Sequence, residues 1–162
     1  MEEIKLPVAF TKRVQDDSFL GQALLDSLDE STPTSIRYNL SKFSPKPITS
    51  PVPWCDNASY LKERPIFTLD PLFHAGSYYA QEAGSMMINQ VVSQLELPKE
   101  GVFLDLCAAP GGKSTNLSSI LNEKGLLVSN EIIQNRAQIL KENLIKWGHS
   151  NTIVSNNDPS DF

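Results

Sequence analysis

Three carboxylates and a glycine turn carry the chemistry of this 162-residue chain. Asp105 precedes the run Leu106-Cys107-Ala108-Ala109-Pro110-Gly111-Gly112-Lys113, Glu131 stands nineteen residues past Gly112, and Asp158 lies further on. A turn of small residues opening a helix lets backbone N–H groups approach an anionic or zwitterionic ligand, because glycine has no side chain in the way. A carboxylate about 20 residues past such a turn is placed to accept hydrogen bonds from two vicinal ribose hydroxyls. Together these features point to a nucleotide-like ligand. Gly112, Lys113 and Ser114 match the tail of a P-loop, but Cys107 stands where its first glycine is required, and adjacent Gly111 and Gly112 do not fit G-x-G-x-x-G. Three acids would repel a triphosphate unless a metal intervened. S-adenosylmethionine instead brings a sulfonium cation, an ammonium group, a ribose diol and an adenine amine. An ATP-dependent hydrolase stays as a distant third reading.

The surrounding pattern supplies the elements that position these groups. Val102 to Asp105 reads as a short strand. A helix follows Lys113, with Leu117, Ile120 and Leu121 on one face and Gly125 as its C-terminal cap. Leu126 to Ser129 give a second strand, and Ile133, Ala137, Leu140, Leu144 and Trp147 recur at helical spacing up to Gly148. Thr152 to Ser155 form a third strand. The order β-α-β-α-β puts Asp105, Glu131 and Asp158 at successive strand ends, and in an open parallel sheet those ends share one rim.

The stretch Asp105 to Thr115, DLCAAPGGKST, with Glu131 and Arg136 after it and YYAQEAGSMM before it, resembles the Nop/Sun family of RNA (cytosine-5) methyltransferases. The amino-terminal motifs LPVAF, SIRYN, PVPWC and HAGSYYAQE look most like the bacterial RsmF-type ribosomal RNA enzymes, so the resemblance covers nearly the whole chain. It implies an α/β chain: a small α+β amino-terminal domain over residues 1–75, then the first half of a Rossmann-like methyltransferase sheet over residues 76–162. It also implies S-adenosylmethionine as cofactor, held by the loop of Cys107, Ala108, Ala109, Pro110, Gly111, Gly112 and Lys113. Asp105 would take the ammonium group or orient the loop, and Lys113 would meet the methionine carboxylate. Glu131 would hold the ribose diol, Arg136 would brace that acid or the loop, and Asp158 would accept from the adenine amine. For Arg136 a surface helix charge is an equal account. Tyr79, Gln81 and Glu82 would shape the cleft, although Glu82 also suits a helix entry.

Cytosine C5 is a poor nucleophile, so the chemistry begins with a thiolate adding to C6, and a base later removes the C5 proton. Family members carry the cysteines for this step beyond the third strand, so no catalytic residue is assigned within residues 1–162. Cys107 lies inside the cofactor turn, and Cys55 has no base near it in sequence. The chain is expected to be a fragment, a truncated gene product or a subunit completed by a carboxy-terminal portion or partner chain. The alternative is a noncatalytic module that binds adenosylmethionine or RNA and works with a partner.

Composition sets further bounds. Two widely separated cysteines give neither a disulfide framework nor metal-ligand spacing, which suits a reducing cytoplasm. No apolar run approaches the ~20 residues of a membrane span, and MEEIKLP lacks the character of a secretion signal. Net charge is −5, an overall acidity that argues against tight unspecific RNA binding by this chain alone, although residues 31–65 are locally basic with five Lys or Arg against two Asp or Glu; the ribosomal RNA partner is what the resemblance implies.

In the amino-terminal part, residues 7–14 and 18–29 read as helices, with Phe19, Leu20, Ala23, Leu24 and Leu28 forming an apolar stripe. Ser35 to Leu40 alternates like a solvated edge strand, unless Arg37 contacts RNA or orders a domain interface. Four prolines, Pro45, Pro47, Pro51 and Pro53, mark an irregular loop. Trp54, near Lys46, Lys62 and Arg64, caps a small core or stacks on a base. A strand is expected within Tyr60–Leu72, and a helix from Gln81 with Met87, Val91 and Leu95 on one face. His74 reads as structural.

Overall fold

The computed structural model describes residues 6–45 and 47–162, so Lys46 lies outside the described residues. Two compact units divide the chain at Pro33/Thr34. The first holds α1 (Val8–Gln15) and α2 (Gly21–Leu28), with Val14 and Leu25 buried. Phe19 and Leu20 fall before α2, where both their amides donate to Asp17 Oδ1 at 2.8 Å. That turn takes Phe19 off the expected stripe and leaves it 92% exposed.

In the second unit, β1 (Thr34–Tyr38), β2 (Pro51–Val52) and β3 (Cys55–Leu61) are followed by a 3-10 turn at Phe67–Leu69 and by α3 (Pro71–His74). The strand expected within Tyr60–Leu72 thus lies earlier, over Cys55–Leu61. Then β4 (Tyr78–Ala80) completes an antiparallel sheet of order β2-β3-β1-β4. β4 lies beyond residue 75 yet pairs with β1, Arg37 opposite Tyr79.

β1 is an interior strand and not the solvated edge expected from its alternation. Arg37 and Asn39 are fully buried, whereas Leu40 is exposed. Buried polar groups need partners, and Asn39 has them: its Nδ2 donates to Gly76 O at 3.1 Å and to Trp147 O at 2.8 Å. Hydrogen bonding has here overridden the apolar pattern. The small core of Val52, Cys55, Ala58, Ala83 and Met86 is covered by Trp54, whose indole N–H donates to Ala83 O at 2.7 Å. Trp54 is therefore a core cap.

The expected helix from Gln81 starts instead as a 3-10 turn at Gly84–Met87 and becomes α4 (Ile88–Gln94). Because a 3-10 turn winds about 120° per residue against about 100° in an α-helix, the phase shifts. Met86 and Val92 are buried, while Met87, Val91 and Leu95 face outward.

The second sheet is parallel, β5 (Val102–Asp105), β6 (Leu126–Asn130) and β7 (Thr152–Ser155), in that order. Between them run α5 (Gly112–Ile120) and α6 (Gln134–Trp147). Ala137, Leu140, Leu144 and Trp147 recur at three- and four-residue steps and are the buried residues of α6. Ile133, counted in that stripe from sequence, precedes the first turn in extended conformation. Gly148, at φ +92°, caps α6. Gly125 does not cap α5, which ends at Ile120. It passes under the Lys99 carbonyl, 2.5 Å from where a Cβ would stand.

His149 is half-buried beside Trp147, and burial pushes its imidazole below the ordinary 6.5. The unfolded chain takes up that proton first, so this contribution is intact above pH 6.5 and is lost as pH falls toward the folded-state value. Thermal melting is expected to drop between pH 7 and pH 5, and His149→Asn should flatten that slope.

Candidate functional site

The carboxyl ends of β5, β6 and β7 build the rim that the strand order demands. Asp105 ends β5, and its Oδ2 accepts the Ser114 hydroxyl at 2.7 Å, tying the strand to the first turn of α5. The chain then turns through exposed Cys107, buried Ala108 and Ala109, and exposed Pro110, with a cis peptide at Ala109–Pro110. Ala108 and Ala109 pack against Leu140 and Leu144 of α6, so small side chains set how deeply the loop sits. Gly111 adopts φ +109° as the N-cap of α5, and a Cβ there would lie 3.2 Å from Leu140 Cδ1.

Gly111→Ala should therefore cost about 1–2 kcal/mol of stability through left-handed backbone strain alone. Chemical denaturation of the variant checks this value.

Glu131 follows β6 directly and is nearly fully buried. Its Oε1 accepts the Ile133 amide at 3.1 Å, and Oε2 lies 3.4 Å from Arg136 Nη1. Arg136 is half exposed, and its Nη2 donates to Ala109 O at 2.9 Å. Arg136 thereby bridges the acid and the glycine loop, which is more than a surface charge does. Asp158 stands apart from these contacts among the described residues. Its Oδ1 accepts from the Ser160 amide and hydroxyl, capping the 3-10 turn Pro159–Asp161, and these bonds hold its carboxyl below the usual range.

Sequence reasoning missed Asn130. Fully buried at the end of β6, its Nδ2 donates to Leu106 O at 3.3 Å and Asn157 O at 3.0 Å, while Oδ1 accepts the Asn157 amide at 3.0 Å. One side chain thus joins the loops after all three strands. The signal was a carboxamide closing the apolar run Leu126-Leu127-Val128, where only a paired polar group is tolerated. Asn143 was missed as well. Its Nδ2 and the Tyr79 hydroxyl both donate to Pro110 O, at 2.8 and 3.0 Å.

Lys113 is exposed beside Glu82, whose carboxylate accepts the Gly84 and Ser85 amides at the entry to the 3-10 turn and is held below its ordinary value by those bonds. His74 Nε2 lies 2.9 Å from Thr68 O, a structural contact. Cys55 is buried, receives Asn89 Nδ2 at 2.8 Å, and burial pushes its thiol up, against a nucleophile's needs.

The rim pairs carboxylate acceptors with helix-entry donors. The amides of Gly112, Lys113 and Ser114 head α5 without acceptors among the described residues, which suits a carboxylate. Glu131 supplies an oriented acceptor, and no cluster of metal-ligating side chains occurs among the described residues. Two grooves lie elsewhere, of ≈ 700 Å³ beside Trp54 and Asn116 and of ≈ 610 Å³ beside Lys141 and Val154. Among the described residues β5 is an edge strand.

Residues 6–83 match the family described as the N-terminal domain of 16S rRNA methyltransferase RsmF, and residues 92–162 match 16S rRNA methyltransferase RsmB/F. The chain is 31% identical over 173 residues to ribosomal RNA small subunit methyltransferase F of Vibrio parahaemolyticus serotype O3:K6, covering 96% of this chain and 36% of that protein. Against the Aeromonas hydrophila protein of the same name, identity is 33% over 116 residues, covering 69% of this chain and 24% of that one. The chain thus spans about a third or less of these relatives' length. Among solved structures, PH0851 superposes with TM-score 0.78 at 21% identity, over 94% of this chain and 37% of that one. A methyltransferase homolog protein from Pyrococcus horikoshii superposes with TM-score 0.68 at 26% identity, over 82% and 46%.

Proposed function

This chain belongs to the RsmF-type branch of the Nop/Sun methyltransferases, and from that premise we propose that it supplies the S-adenosylmethionine half-site of a ribosomal RNA (cytosine-5) methyltransferase. The observation that carries the cofactor assignment is the bridge from Glu131 through Arg136 to Ala109, which fixes a carboxylate against the glycine loop. Bound S-adenosylmethionine supplies the methyl group on its sulfonium. Glu131 orients the ribose by accepting from its hydroxyls, and the first-turn amides of α5 bind the methionine carboxylate. Asp105, held by Ser114, faces the ammonium group, and Lys113 adds positive potential at the loop. Asp158 accepts from the adenine amine through the oxygen its cap leaves free.

The thiolate for cytosine C6 comes from a complementing portion or partner chain, since Cys55 is buried and Cys107 belongs to the cofactor loop. RNA contact falls to the amino-terminal domain of residues 1–75 and cofactor binding to the methyltransferase portion of residues 76–162. On this reading the chain works in the cytoplasm; among the described residues no helix is long and apolar enough to cross a membrane.

Calorimetric titration with S-adenosylmethionine, with ATP as competitor, tests the assignment. Saturable one-to-one binding that ATP does not displace is expected. Displacement by ATP, or a folded chain that gives no heat with adenosylmethionine or adenosylhomocysteine, would contradict it.

A further inference from the structure

Arg37 and Tyr79 are opposite one another across β1 and β4, and both reach the glycine turn. The buried Arg37 Nη2 donates to Thr115 Oγ1 at 2.6 Å and to Gly112 O at 3.4 Å, while Nε donates to Gln81 Oε1 at 3.0 Å. Its guanidinium lies 4.6 Å from the centre of the Trp147 ring. The Tyr79 hydroxyl donates to Pro110 O, and its ring packs where Gly112 lacks a side chain, 3.5 Å from a Cβ built there. Gln81 Nε2 fills the same space at 3.3 Å. A buried guanidinium without a carboxylate partner is costly. Burial pushes Arg37 down to about 10, yet packing alone would be served by an apolar side chain. What the guanidinium adds is directed donors: Nη2 reaches the start of α5 and Nε holds Gln81, while Nη1 is buried without a partner among the described residues.

We propose that Arg37 and Tyr79 are positioning residues: through them the antiparallel sheet holds the Pro110–Thr115 turn in the shape that receives the cofactor. The helix entry is gripped from two sides, Pro110 O by Tyr79 and Gly112 O with Thr115 by Arg37. A displacement of β1 against β4 is transmitted to the loop, so whatever engages this sheet alters cofactor affinity. By linkage, cofactor alters that engagement equally. This inference rests on the cofactor assignment above for its ligand, though not for its geometry.

Two readouts keep the inference and that assignment distinguishable. Hydrogen exchange at the Gly111 and Thr115 amides, which bond to Ala108 O and Gly111 O, reports the turn without ligand. Adenosylmethionine affinity reports its use. In Arg37→Lys, exchange at these two amides should accelerate roughly tenfold relative to Leu127 of β6, and affinity should fall roughly tenfold. Tyr79→Phe, which keeps the ring and the fold, should shift both by about threefold with little change in melting temperature. Folded variants whose turn exchange and affinity both match the parent would overturn the proposal. Accelerated exchange with no cofactor bound even by the parent would uphold the clamp and refute the cofactor assignment.

Discussion

Glu131→Ala is expected to weaken S-adenosylmethionine binding on the order of a hundredfold while leaving the chain folded. Two hydrogen bonds from ribose hydroxyls to a charged acceptor are each worth about 1.5–3 kcal/mol, and the substitution removes both. The fold should tolerate the change, because the arginine left behind is half exposed and retains its bond to Ala109 O. Glu131→Gln keeps the volume and one acceptor and should fall between. Titration calorimetry of both variants, with thermal melting as the folding control, decides the matter. An alanine variant that binds as tightly as the parent would remove the ribose role.

The second large effect concerns stability. Trp147 is 1% exposed at the end of α6, with its indole N–H on Ser119 Oγ at 3.3 Å and its carbonyl receiving Asn39. It underlies both Arg37 and Tyr79. Trp147→Ala leaves a cavity beneath the buried guanidinium and should cost about 3–5 kcal/mol, lowering the melting temperature by roughly 10 °C. Denaturant unfolding measures it. A loss below about 1 kcal/mol would show that the site collapses without penalty, so that Arg37 and Tyr79 do not depend on this ring.

The parallel half of the fold was legible because its signals are local. Short apolar runs leading to Asp105 and Glu131, and the helical stripe of Ala137, Leu140, Leu144 and Trp147, need no distant partner to be read. The antiparallel half was less so. Arg37 and Asn39 looked like the wet face of a strand, and only contacts to Thr115 and Trp147, far away in sequence, make their burial tolerable. A 3-10 entry likewise rotated α4 away from the face its spacing suggested. At the site, spacing singled out Glu131, and the resemblance Arg136 and Tyr79. Asn130 and Asn143 hold the loops through backbone carbonyls, which leave little trace in a single sequence.

The central claim is that the ligand sits at the rim formed by Asp105, the glycine turn and Glu131. Titrating a nitrogen-15-labelled chain with S-adenosylmethionine and following its amide resonances tests this directly. The largest shifts are expected at residues 105–115 and 131–136, with smaller ones at Arg37 and Tyr79, which contact the turn, and little movement at Leu127. Shifts centred instead on Asn89, Asn116 and Ser119, or on Lys141 and Val154, would put the ligand in one of the two other grooves and contradict the account.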